Sequence, residues 1–86
     1  MERFCVTDVA QEADVENCVA ETLAHFGRID LLCNNAGIAG GDYSTAQDQS
    51  LETWQKIIGV NLYGVMLFTK YVSRQMVEQG QGAIVN

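Results

Sequence analysis

Eighty-six residues make one small domain at most, and a hydrophobic content of 48% is too high for a disordered chain. The net charge of −6 sits on 11 acidic residues against 5 scattered basic ones, which argues against the clustered cationic face of a nucleic-acid binder. No apolar run approaches the roughly 20 residues of a bilayer span, and no apolar segment follows Met1-Glu2-Arg3-Phe4 as a secretory signal requires.

Residues 2–7 predict a strand, with Phe4 and Val6 supplying the alternation and Asp8 at its carboxyl end. Residues 11–26 predict a helix. Val15, Cys18, Val19, Thr22, Leu23 and Phe26 share one face, and Asp14, Glu16, Asn17, Glu21 and His25 share the other. Gly27 follows at once, as a C′ residue should. His25 has no carboxylate near it in sequence, and its place near a helix end suits the helix dipole better than general-base work.

Residues 29–37 form the most informative stretch. An apolar run, Ile29-Asp30-Leu31-Leu32-Cys33, stops at two amides, Asn34 and Asn35, then at Ala36-Gly37. That pattern predicts a buried strand ended by turn-formers. The carboxyl end of such a strand is where open α/β sheets bind ligands. Residues 38–49 read as a loop. Ser50 to Thr53 has the look of a helix start, and Leu51, Trp54, Ile58, Leu62, Val65, Phe68, Val72 and Met76 recur at helical spacing. Gly80 and Gly82 close this long helix, and residues 83–85 begin a third strand. The order strand-helix-strand-helix-strand predicts an α/β fold with parallel strands and right-handed crossovers. The third strand stops almost as it starts, which suggests an incomplete domain.

Cys5, Cys18 and Cys33 form no CxxC pair, and there is a single His, so no zinc or other metal site is expected. All three read as small core residues in a reducing compartment, hence a cytoplasmic protein. Trp54 and the methionines read as core.

Asn61 is the main oddity. It falls on the stripe of Trp54, Ile58 and Val65, which faces the core, where an unpaired amide costs about 1–3 kcal/mol. It is either a satisfied core amide or an amide held in a site. Gly59 and Gly64 bracket it, each costing roughly 1 kcal/mol relative to Ala in a helix. Two glycines so close imply close backbone packing or a weak point in the helix. A locally opened helix would free a carbonyl near Asn61 to bind water.

Taken together, these residues resemble the middle of a classical short-chain dehydrogenase/reductase. Asn34-Asn35-Ala36-Gly37 matches the family's Asn-Asn-Ala-Gly motif, and Gly27-Arg28-Ile29-Asp30 the segment leading into it. Val60-Asn61-Leu62-Tyr63-Gly64-Val65 matches the surroundings of the active-site Asn. Gly82-Ala83-Ile84-Val85-Asn86 matches the strand leading to the catalytic Ser, and Asp8-Val9 the end of the third strand. Four motifs in order span essentially the whole chain.

The resemblance implies that residues 1–86 are the central fragment of one NAD(P)-binding domain, a partial Rossmann-like doubly wound parallel sheet. Asp8 and the Val9 backbone would meet the adenine of NAD or NADP. Asn35, Ala36 and Gly37 would line the adenosine ribose side, and Val60 would approach the cofactor. Asn61 would be the catalytic Asn of an Asn-Ser-Tyr-Lys tetrad, holding a water in the proton relay. The whole enzyme would be an oxidoreductase acting on a small carbonyl or alcohol substrate, homo-oligomeric, with no nucleic-acid or membrane partner.

The departures from the family pattern are large. The sequence carries no Gly-rich pyrophosphate turn and no Tyr-x-x-x-Lys, and Tyr43, Tyr63 and Tyr71 each lack a Lys four residues on. The family's second strand, which chooses between NAD and NADP, is missing too. The expectation is an inactive fragment. The alternative is a non-catalytic module that pairs with another chain through Leu62, Val65, Phe68 and Val72 of the long helix. Two geometric expectations follow from the family's strand order. The second and third strands lie side by side and parallel, with the first pairing with neither, and Asp8 and Asn35 share the carboxyl edge.

Overall fold

The computed structural model describes residues 2–39 and 46–86. In chain order these form helix α1 (Glu12–Phe26), strand β1 (Leu31–Cys33), a 3₁₀ turn (Ala46–Asp48), helix α2 (Leu51–Ile58), a π-helical segment (Gly59–Tyr63), helix α3 (Gly64–Gln79) and strand β2 (Ala83–Val85). The loop expected over 38–49 lies partly outside the described residues.

β1 and β2 pair in parallel, with Leu31 opposite Ala83, Leu32 opposite Ile84 and Cys33 opposite Val85. The Asn34 N–H extends the ladder to the Val85 carbonyl at 2.8 Å. This is the parallel pair expected from the sequence, and the partial α/β architecture is as read.

The strand expected over 2–7 does not form. That segment has no regular structure, and Phe4 and Val6 are 90% and 103% exposed. Alternation gives a strand only where a neighbour takes up the backbone hydrogen bonds, and the described residues contain no such neighbour.

The helix ends follow local chemistry. Gly27 and Gly80 adopt left-handed φ values of 77° and 84°, and their N–H groups cap the preceding turns. Ser50 accepts the Thr53 N–H, as its position suggested. The core lies where α1 and α3 cross over β1: Val19, Ile29, Val72 and Met76 are buried, with Leu23, Leu32, Phe68 and Tyr71 against them. Val15 and Leu67 are also buried.

Burial corrects the sequence reading at several positions. Leu51, Trp54 and Leu62 are 73%, 49% and 59% exposed: α2 runs straight on into the π segment, and little of the described chain packs across this part of the helix. Met76 is core but Met66 is half exposed, and Phe26 is 48% exposed at the end of α1. Cys33 is exposed, and Cys5 and Cys18 are half-buried. Leu32 joins the core, so the pleat turns Leu31 and Cys33 to the other face, which no described layer covers. The face offered for partner binding is largely spent internally: Val72 is 2% exposed and Phe68 packs on the core.

Candidate functional site

The long helix is interrupted where the two glycines stand. Over Gly59–Tyr63 the backbone widens to π geometry, and the Gly64 N–H reaches back five residues to the Gly59 carbonyl. A π turn lengthens the hydrogen-bond reach and loosens the carbonyls inside it. Both expected causes are present. Gly59 is buried beside the Ala10 methyl, and Gly64 lies so close to Val9 that a Cβ there would sit 2.7 Å from Val9 Cγ2. The missing side chain lets the chain after Asp8 lie against the helix.

That close approach closes one wall of a pocket of about 210 Å³ at the carboxyl ends of the strands. Val9, Val60 and Phe68 supply apolar walls, and Asn34, Asn35 and Ala36 form the edge from β1. Three separate stretches of sequence meet here, which is the place an open α/β sheet puts its ligand.

The two amides of the Asn34-Asn35 pair have different tasks. Asn34 Nδ2 donates to Asn86 Oδ1 at 2.8 Å and to Thr69 Oγ1 at 3.4 Å, tying β1 to β2 and α3. The Asn35 side chain makes no hydrogen bond among the described residues, so its amide is available to a ligand. Asp8 does not line the pocket. Its Oδ1 accepts the Ala10 N–H at 3.0 Å, its own N–H donates to Asp14 Oδ2 at 3.0 Å, and it forms the turn that presents Val9. Of the expected pair, Asn35 lines the pocket and Asp8 does not; its neighbour Val9 stands in the wall.

Asn61 is exposed, not buried as its stripe suggested, because the π turn shifts its phase. Both its amide oxygen and its amide nitrogen are bonded nonetheless. Oδ1 accepts the Ile38 N–H at 2.8 Å, and Nδ2 donates to the Ile38 carbonyl at 2.8 Å. The side chain copies a strand neighbour and clamps the chain just after Gly37. A Cβ on Gly37 would sit 3.5 Å from Asn61 Oδ1, an ordinary contact. The structure thus gathers Val9, Asn35, Ala36 and Val60 in one pocket and pairs Asn61 with the loop of Gly37.

Sequence reasoning missed the polar junction between α1 and α3. The Glu12 carboxylate accepts from Lys70 Nζ and from the Tyr71 hydroxyl, each at 2.9 Å. The Lys70 hydrogen bond, then that of Tyr71, holds the Glu12 carboxyl below the usual range, and Glu12 pushes Lys70 and Tyr71 up. Lys70 and Arg74 also flank the Tyr71 ring, 5.2 and 5.5 Å from its centre. No signal in sequence pairs residues this far apart. The pocket's roles for Phe68 and Gly64 were signalled only as a core position and an out-of-place glycine.

Among the described residues no cluster of His, Cys, Asp or Glu could hold a metal ion, and no helix is long and apolar enough to cross a membrane. The pocket combines apolar walls with an edge where the Asn35 side chain makes no hydrogen bond among the described residues. A parallel β-α-β unit with this pocket at its strand ends defines an open α/β ligand-binding fold.

The family model for short chain dehydrogenases matches residues 2–86, and the chain belongs to that family. D-threitol dehydrogenase of Mycolicibacterium smegmatis is 42% identical over 79 residues, covering 92% of this chain and 30% of the relative. Levodione reductase of Leifsonia aquatica is 44% identical over 81 residues, covering 94% and 30%. A crystal structure of levodione reductase superposes with a TM-score of 0.88 at 42% identity, covering 94% of this chain and 31% of that one. The chain spans about a third of the length of these relatives, one named as a dehydrogenase and the other as a reductase.

Proposed function

We propose that residues 1–86 are the central part of an NAD(P)-dependent oxidoreductase that moves a hydride between the nicotinamide and the carbonyl or alcohol carbon of a small substrate. The observation that carries this reading is the convergence of Val9, Val60 and the Asn35-Ala36 edge on one pocket at the strand ends. Val9 and Val60 would hold the adenine between apolar surfaces, and Asn35 and Ala36 would meet the adjoining ribose, with Asp8 and Gly37 shaping the turns on either side. The cofactor, when bound, supplies the hydride acceptor or donor. Asn61 acts by position: its amide holds both backbone groups of Ile38, and a relay water would be held by a loosened carbonyl of the π turn.

Alone, this chain is inactive in our reading, since general acid catalysis needs a donor of suitable pKa within reach. Calorimetric titration of the 86-residue chain with NADH and NADPH tests its share of the site. The expected result is binding weaker than micromolar, because this sequence has no Gly-rich turn for the pyrophosphate. A micromolar Kd, about −8 kcal/mol, would overturn that division of labour. The coding frame on either side supplies the second test. A Gly-rich turn upstream and a Tyr-x-x-x-Lys downstream support the reading, and a frame lacking both refutes it.

A further inference from the structure

The helix that carries Asn61 grips the β1 chain at three points, in a regular register. At one end Asn61 takes both backbone groups of Ile38. In the middle Thr69 receives the Asn34 amide. At the other end Gln79 repeats the first clamp: its Oε1 accepts the Ile29 N–H at 2.8 Å and its Nε2 donates to the Ile29 carbonyl at 2.8 Å. Ile29 is buried, so these two groups would otherwise be costly to leave unpaired.

The spacing is commensurate. Positions 29, 34 and 38, before and after β1, meet helix positions 79, 69 and 61, two helical residues for each residue of that chain. Two helical residues rise roughly 3.0 Å, and one extended residue advances roughly 3.3 Å. A helix and an antiparallel extended chain can therefore stay in step along β1, and the turn after Cys33 and the π turn at Gly59–Tyr63 complete the span to Asn61. From Asn61 to Gln79 the helix rises roughly 27 Å.

We infer that Gln79 is a positioning residue, the far anchor of a ruler whose near anchor is Asn61. Fixing both ends sets where residues 34–37 stand along the helix, and so where the amide edge of the pocket lies. Gln75 supports the anchor by donating Nε2 to Gln79 Oε1 at 3.0 Å, and Gln79 Nε2 also reaches the Gln81 carbonyl at 3.3 Å, joining the entry to β2. Gln79 plays this part whichever ligand the pocket takes.

Residue-resolved amide hydrogen exchange on the 86-residue chain tests it, comparing wild type with Gln79→Met and Gln79→Glu. Met has the length of Gln and no hydrogen-bonding edge, while Glu keeps the acceptor. In Gln79→Met the Ile29 amide should exchange about fivefold faster, the loss of one ordinary hydrogen bond. The Ile38 amide, at the other anchor, should accelerate about twofold through the shared register. In Gln79→Glu the Ile29 amide should stay protected. Wild-type exchange at Ile29 in Gln79→Met would make Gln79 a packing residue and overturn the proposal. An Ile38 rate unmoved while Ile29 accelerates would reduce the ruler to two separate clamps, which also overturns it. Loss of helical circular dichroism in both variants would show that Gln79 holds the core and not the register, and would overturn it as well.

Discussion

Gly64→Ala sets two known effects against each other. By helix propensity alone, Ala for Gly in a helix interior stabilises by roughly 1 kcal/mol. Here the new methyl would sit 2.7 Å from Val9 Cγ2, 3.1 Å from Val9 Cβ and 3.4 Å from the Val9 carbonyl oxygen. Overpacking of this kind typically costs about 1–3 kcal/mol. The contact is with the Cβ-branched base of Val9, next to the Asp8 turn, so the neighbour cannot swing aside at its far end as a long side chain would. The expected net change is a destabilisation of about 1 kcal/mol, with Val9 pushed out of the pocket wall. Urea unfolding followed by far-ultraviolet circular dichroism measures the first effect. The decisive comparison is the double variant with Val9→Ala, which removes the offending Cγ2. In that background Gly64→Ala should become neutral or stabilising, a coupling of about 1–2 kcal/mol. A stabilised Gly64→Ala single variant would refute the close-approach account and leave propensity as the whole explanation of this position.

Three further outcomes are expected. Asn61→Leu in an enzyme completed around this chain should raise helix propensity yet release Ile38, lowering the turnover number while the melting temperature stays within a few degrees; unchanged turnover would leave Asn61 as packing. The lowered carboxyl pKa of Glu12 means its contribution is full above the ordinary value of 4.5 and disappears as pH falls through the lower folded value. Wild type and Glu12→Gln should therefore differ in stability near neutral pH and converge in acid, and a difference undiminished as pH falls into strong acid would refute the junction. Tyr71 and Lys70 are raised above their ordinary 10.0 and 10.5, so their share is present below those values and lost in stronger alkali. Tyr71→Phe, which keeps the ring between Lys70 and Arg74, should remove the hydroxyl part of that alkaline loss in a thermal melt, and an unchanged alkaline limb would refute its link to Glu12.

Local chemistry was legible in the sequence where it depends on neighbours along the chain. Gly27 and Gly80 ended their helices where expected, Ser50 capped the next one, and Leu31–Cys33 of the expected strand paired with Ala83–Val85 in parallel. What failed needed a partner that local pattern cannot supply. Phe4 and Val6 alternate as a strand should, but alternation does not make hydrogen bonds, and no described neighbour accepts them. Trp54 and Leu62 sit at core spacing, yet a core position is only a face until something packs on it. The helix–helix junction at Glu12 was invisible because its members lie in separate elements whose approach is set by tertiary packing.

Asn61 shows how a sequence anomaly becomes a positional device. A strict 3.6 period places it with Trp54, Ile58 and Val65, facing inward. The period is not strict, because Gly59 and Gly64 give little resistance to a wider turn, and Gly64 must lie against Val9 in any case. Widening the turn rotates what precedes it relative to α3, carrying Asn61 off the core stripe and toward the chain after Gly37. There its amide satisfies both backbone groups of Ile38. The two helix-weakening glycines and the poor helix former between them are thus parts of one arrangement. Restoring regular α geometry across Gly59–Tyr63 would improve the helix and detach the loop from it.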